Sequence, residues 1–304
     1  MDFAVQTSGR YGDVLRMARF AEDRGLPAIA LPDHYLMALD EEGARNTPAP
    51  DAFAQLAALA RDTTTIQLTV LVAPITFRHP AVLVKNAATI DELSGGRFTL
   101  GIGTGWMDRE HEVFGLDYPP VATRFAMLEE ALGYVTAALA PEPTGFSGKY
   151  YALEAFPIAP RPEAVRIAVG GTGARKTPHL AGTYADEFNV YPGPDLETRV
   201  ERARDAAGQA GRDPSALLIS SAGAVVTGAT EAEVDAQLDE MATGPGMSRD
   251  ELAEHHQRRN TPIGTYGQLK AYFAHLENAG VERFYLQGSN DPEATARLID
   301  TISP

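Results

Sequence analysis

Three short stretches carry residue types whose spacing could do chemistry. The run ALPDHYLM sets Asp33 and His34 together where a β-rich segment ends. Histidine exchanges a proton near neutral pH more readily than other side chains, so His34 is a candidate proton donor or ligand contact, and Asp33 a candidate to orient its ring or cap the next turn. Packing or loop anchoring is the plainer alternative for both. The run GTGWMDREHEVFG gathers Trp106, Asp108, Glu110, His111 and Glu112 in one loop. Trp106 suits a stacking surface or pocket wall, and Glu110 or His111 a role on substrate. HEVFG departs from the H-E-x-x-H zinc signature, since Gly115 holds its fifth place, and no metal is expected. The third run, GGTGARKT at 170–177, joins small residues to Arg175 and Lys176. Exposed N–H groups at a helix start, approached closely through glycine, hold phosphate well.

Two nucleotide motifs fail on inspection. GGRFTLGIGTGW has Trp106 where a dinucleotide fingerprint needs its third glycine, and GGTGARKT lacks the spacing and the Lys-Ser/Thr pair of a phosphate-loop NTPase. In IQLTVLVAP, residues Leu71, Val72, Ala73 and Pro74 would either wall a flat ring at a strand end or serve as ordinary strand core. Arg78 and His79 precede Pro80, which is well placed in the first turn of a helix; His79 reads as structural.

These stretches need elements to position them. Eight β-rich runs fall at 2–6, 28–32, 66–72, 98–103, 165–169, 187–190, 217–226 and 283–287. Helical patterns alternate with them at 13–24, 51–61, 80–93, 121–139, 175–181, 195–210, 231–241 and 266–278, with one more at 291–298. Near-continuous aliphatic strands suit a parallel sheet covered on both faces, and eight βα units close a barrel. The expectation is an α/β fold, a single (β/α)8 TIM barrel over 1–304, with insertions after strands 2, 4 and 7 near 34–50, 104–120 and 227–265 and an excursion at 145–162. Such insertions sit at the C-terminal ends of barrel strands, where active sites form. Gly25, Gly95, Gly96 and Gly280 follow helical patterns and read as helix stops.

Composition excludes several classes. With no cysteine, disulfides, thiolate nucleophiles and cysteine-ligated metals are absent. A formal charge of -15, from 26 Lys and Arg against 41 Asp and Glu, repels nucleic acid and anionic membranes. HHQRRN at 255–260 is too short for a basic stripe, and no G-x-S-x-G elbow occurs. Without a long apolar run or a basic leader at its start, the chain is expected to be cytoplasmic.

The stretch from Arg78 to Gly115, which includes HPAVLVKNAATIDELSGGRFTLGIGTGWMDREHEVFG, together with PDHY, GGTGARKT and YADEFNVYPG, resembles the luciferase-like monooxygenase superfamily, and within it the F420-dependent branch. The resemblance spans essentially the whole chain and implies an oxidoreductase moving a hydride to or from the deazaflavin C5 of coenzyme F420. An FMN-dependent monooxygenase is the alternative, and a ligand-binding barrel without catalysis a further one. It also implies that His34 lies by ring and substrate, that Asp33 belongs to the same cofactor-side pair, and that Leu71 and Val72 carry a non-proline cis bulge supporting the ring, with Ala73 beside them on the cofactor side. Val169, Gly170, Gly171 and Thr172, with Arg175 and Lys176, would hold the cofactor phosphate. With the candidates read from the residues themselves, the expected catalytic set is His34, Trp106 and Glu110. A separate F420 or flavin reductase and a homodimer are expected partners, with no nucleic acid and no membrane. Trp106 stands where sugar-phosphate dehydrogenases of the branch carry an acidic residue, and HYLMALD lacks their tryptophan. An apolar or aromatic small molecule, met by Tyr35, Leu36, Met37 and Trp106, is therefore the expected substrate.

Overall fold

The computed structural model describes residues 1–38, 46–243, 248–258, 260–288 and 290–303. Its centre is a closed barrel of eight parallel strands: β1 (Asp2–Gln6), β2 (Ala28–Leu31), β3 (Gln67–Pro74), β4 (Phe98–Gly103), β5 (Arg166–Gly171), β6 (Glu187–Val190), β7 (Leu218–Gly223) and β8 (Arg283–Gln287). β1 closes the ring by pairing with β8 on one side and β2 on the other. Between the strands run α1 (Tyr11–Asp23), α2 (Ala52–Asp62), α3 (Pro80–Ser94), α4 (Asp108–Phe114), α5 (Val121–Leu139), α6 (Lys176–Tyr184), α7 (Leu196–Gln209), α8 (Glu231–Thr243), α9 (Arg249–Arg258) and α10 (Tyr266–Asn278), and α11 (Pro292–Ile302) follows the last.

Period-two alternation divides each strand between two environments. Phe3, Ile29, Leu68, Phe98 and Phe188 face outward into a shell core shared with the helices. Burying each such side chain contributes roughly 1.5–3 kcal/mol. The lumen is different, for Ala4, Ala28, Ala30, Leu71, Ala222 and Tyr285 form a small cluster inside the ring. Among them sit polar groups: Asn189 Nδ2 donates to Ser220 Oγ at 2.9 Å, and the Tyr285 hydroxyl donates to Glu187 Oε2 at 3.4 Å. Branched side chains usually fill such an interior; here small and hydrogen-bonded ones do.

Local signals explain most boundaries. Asp51 caps α2 by accepting from the Ala54 N–H at 2.8 Å, and Gly95 ends α3 in the left-handed region at φ 68°. Three details correct the sequence reading. β3 continues to Pro74 and β5 to Gly171; the 217–226 run breaks at Gly223, with Val226–Gly228 pairing separately with Ile263–Thr265. The segment read as a loop after β4 contains α4, which spans 7 residues and is too short to leave a periodic pattern. α9 is likewise absent from the expected helices, because its charged sequence has little apolar stripe.

In the expected insertion at 34–50, Leu36–Ala38 pairs with Asn46–Pro48; residues 39–45 lie outside the described residues, as do 244–247 and 259 of the 227–265 segment. The excursion at 145–162 holds a ribbon of Phe146–Ser147 and Ala152–Leu153. Glu130 on α5 fastens it by accepting the N–H groups of Lys149, Tyr150 and Tyr151 at 2.8, 2.6 and 3.1 Å.

Candidate active site

The residue following β2 meets the helix following β4. His34 leaves the end of β2 and its Nδ1 lies 3.0 Å from Glu110 Oε2 on α4. Glu110 is 1% exposed, and its other oxygen accepts the backbone N–H groups of Tyr35 at 2.6 Å and Leu36 at 2.9 Å. The Trp106 ring stands edge-on to the His34 ring at 5.5 Å and 77°, and is 59% exposed. His111, next to Glu110, is tied down instead: Nδ1 donates to the Met107 carbonyl at 2.8 Å, and Nε2 lies 2.7 Å from the Thr76 hydroxyl. Arg124 holds the same loop from outside, donating to the Gly105 carbonyl at 2.6 Å and lying 3.9 Å from the Tyr118 ring centre.

Asp33 turns away from the histidine. Its Oδ2 accepts from Arg78, whose other terminal nitrogen donates to Asp51 Oδ2 at 2.6 Å. The guanidinium also lies 4.7 Å from the Phe53 ring centre. Arg78 therefore ties the end of β2 to the cap of α2, where the chain returns from the ribbon after β2. Burial pushes the Asp33 carboxyl up to about 6, with the Arg78 charge opposing the rise.

The third component is a shelf at the end of β3. The Leu71–Val72 peptide bond is cis, as the resemblance implied, and the β3–β4 register shifts between Val70 and Ala73. Val72 sits against three glycines. A Cβ at Gly101 would lie 3.0 Å from Val72 Cγ1, one at Gly103 2.8 Å from Cγ2, and one at Gly170 2.9 Å from Cγ1. Gln6 donates to the Leu71 carbonyl at 2.8 Å and accepts from Gln287 at 2.5 Å.

β5 runs from Gly170 beside Val72 into the start of α6. Thr172, Arg175 and Lys176 are exposed, and among the described residues no carboxylate pairs with either cation. A side chain at Gly173 would come within 2.5 Å of the Thr177 hydroxyl, so glycine keeps this helix start open. Lys176 Nζ lies 5.5 Å from the Phe125 ring centre. This arrangement fits a phosphate, which the backbone N–H groups and both cations would meet at the rim.

The fold thus brings His34, Glu110 and Trp106 into one group, and joins Val72 to Gly170, Gly171, Thr172, Arg175 and Lys176 in another. It corrects several side-chain expectations. Ala73 and Val169 are fully buried in the outer shell, because alternation aims them at the helices, so only their backbone borders the mouth. Asp33 does not orient His34. Leu36 is buried and Tyr35 stacks on Phe77 at 4.4 Å, leaving Trp106 as the exposed apolar group; the Met37 side chain lies outside the described residues. Sequence reasoning missed Gln6, Gln287 and the clamp made by Arg78. Gln6 and Gln287 end adjacent paired strands, and polar residues ending otherwise apolar runs were the available signal.

The profile of the luciferase-like monooxygenase family matches residues 2–302. An F420-dependent glucose-6-phosphate dehydrogenase of Amycolatopsis mediterranei is 34% identical over 198 residues, covering 64% of this chain and 57% of that protein. A pyrimidine monooxygenase of Allorhizobium ampelinum is 30% identical over 177 residues, covering 56% of this chain and 48% of that one. The chain spans less than two thirds of the length of these relatives. Among solved structures, an F420-dependent secondary alcohol dehydrogenase in complex with an F420-acetone adduct superposes with a TM-score of 0.80 at 20% identity, covering 100% of this chain and 99% of that one. An EDTA monooxygenase from Chelativorans also gives 0.80, at 18% identity and 99% and 92% coverage. These two likenesses establish a shared fold.

Proposed function

The chain belongs to the luciferase-like monooxygenase family, and we propose that it is an F420-dependent oxidoreductase acting on a small apolar or aromatic molecule. The observation that carries this reading is the continuity of the Val72 shelf with the cationic helix start, through Gly170, beside a paired histidine. When bound, the deazaflavin supplies a hydride donor or acceptor at C5. Val72 and the backbone around it support the ring. Gly171, Thr172 and Gly173 present backbone N–H groups to the phosphate, with Arg175 and Lys176 adding the charge that the rest of this acidic protein withholds. His34 takes up a proton at Nε2 from a substrate oxygen, or returns it there from the imidazolium, so that charge does not build up as the hydride moves. Trp106 covers the mouth and excludes water.

The curated dehydrogenase relatives act, by name, on glucose 6-phosphate. We do not extend that substrate to this chain, because an indole at position 106 offers a sugar phosphate no charge and no acid–base group, only a single N–H donor. A separate reductase that recycles the cofactor, and assembly as a homodimer, complete the proposal. FMN is the second reading, because one relative is by name a monooxygenase and oxygen chemistry is carried by flavins; the shelf and the phosphate cradle suit it equally.

Equilibrium titration of the purified protein with F420 and with FMN, followed by reduction of whichever binds, tests the reading. Tight F420 binding and reduction of the bound cofactor are expected. FMN binding without F420 binding overturns it in favour of monooxygenation, and failure of both favours a barrel that binds ligand without catalysis.

A further inference from the structure

We infer that Glu110 is the positioning residue that sets the tautomer of His34, placing the proton on Nδ1 and leaving Nε2 as the reacting nitrogen. The inference rests on the reading of this mouth as the active site. Glu110 is buried and spends both oxygens on protein groups: Oε1 on the Tyr35 and Leu36 N–H groups, and Oε2 on His34 Nδ1 at 3.0 Å. At 1% exposure it has almost no surface to offer a substrate, which moves it from the role on substrate expected of it to a supporting one. A carboxylate only accepts hydrogen bonds. Nδ1 must therefore donate in this pair, and in neutral imidazole the lone pair then lies on Nε2.

No other described group competes for this role. Asp33, the neighbour in sequence, bonds Arg78 instead, and Trp106 meets the imidazole through its ring edge. The same carboxylate that fixes the tautomer fixes the backbone of the next two residues. Ring orientation and the path of the chain out of β2 are set by one side chain.

Glu110→Gln is nearly isosteric and separates the two jobs. The amide oxygen must face the Tyr35 and Leu36 N–H groups, since an NH2 there would oppose two donors. The NH2 then faces Nδ1, which must accept, and the ring proton moves to Nε2. The loop anchors survive while the tautomer reverses.

The test is 15N NMR of histidine-labelled, cofactor-free protein at alkaline pH, with the His34 signals assigned by their loss in His34→Gln. Wild type is expected in the Nδ1–H form and Glu110→Gln in the Nε2–H form, a reversal of the dominant population. An Nε2–H form in wild type overturns the inference, as does an unchanged tautomer in the variant. If the variant fails to fold, the wild-type spectrum decides alone. Because the measurement needs no cofactor, failure of F420 to bind would count against the proposed function and leave this result standing.

Discussion

Gly170→Ala probes the contact on which the shelf depends. The added Cβ would lie 2.9 Å from Val72 Cγ1 and 3.5 Å from Cγ2, while the next neighbour, Asn189 Cβ, is at an ordinary 3.7 Å. Val72 alone is overcrowded. Overpacking of this kind costs about 1–3 kcal/mol, which for a chain of this length lowers the melting temperature by about 2–5 °C. Val72→Ala removes both offending methyls, so Gly170→Ala made in the Val72→Ala background should cost little. The coupling in the double-mutant cycle is expected at about 1–2 kcal/mol. Gly101→Ala supplies the contrast, since its Cβ would fall 2.1 Å from the Val70 carbonyl oxygen, a backbone atom that Val72→Ala does not move. Denaturant unfolding of the four proteins in each cycle reads these energies directly. An unchanged cost of Gly170→Ala with and without Val72 would refute the reasoning, and so would rescue of Gly101→Ala. Cofactor titration on Gly170→Ala should also show weaker binding, because Val72 is displaced from the shelf.

Asp33 makes stability depend on pH in a defined sense. Its carboxyl titrates near 6 when folded against 3.8 ordinarily, so the folded state binds the extra proton. That contribution is complete below the unfolded value and is lost as pH rises through the folded one. The loss is on the order of 2–3 kcal/mol, and Asp33→Asn should flatten the stability profile between pH 4 and 7; parallel profiles for the two proteins would contradict the assignment. Arg78→Met leaves the Asp33 carboxylate buried without its partner and should cost about 3–5 kcal/mol in urea unfolding. Arg175→Ala with Lys176→Ala should weaken F420 by about tenfold or more, without changing affinity for a deazaflavin that lacks the phosphate; equal losses for both ligands would remove the phosphate role. The chain has 1 tryptophan, so its emission reports on position 106, and quenching is expected on cofactor titration; a silent emission during saturable binding places the ligand elsewhere.

Much of the architecture was legible because its signals are local. Aliphatic strands alternating with capped helices announce a barrel, and Gly25, Gly95 and Gly280 adopt positive φ at helix ends, as stops require. His34 at a strand end and GGTGARKT at a helix start were visible because position in a βα unit already decides which way such residues face. The roles of Gly101 and Gly103 were not visible. They read as features of their own strand, whereas Gly103 is small because Val72, on the neighbouring strand, needs the space, and Gly101 because the Val70 carbonyl oxygen of that strand lies closer still. The helix carrying Glu110 was missed as well, since 7 residues complete too few turns to show periodicity.

By itself, then, the sequence determined which residue types stand at the ends of which strands, and so the fold and the presence of a histidine and a glycine-rich, cationic helix start at one mouth. Only the tertiary structure decided which partners they keep. Asp33, adjacent to His34 in the chain, goes to Arg78, while Glu110 crosses from another βα unit to hold the imidazole. Barrel closure sets such pairings, because it brings strand ends together by lateral register, and lateral register is not written in the spacing of residues along one chain segment.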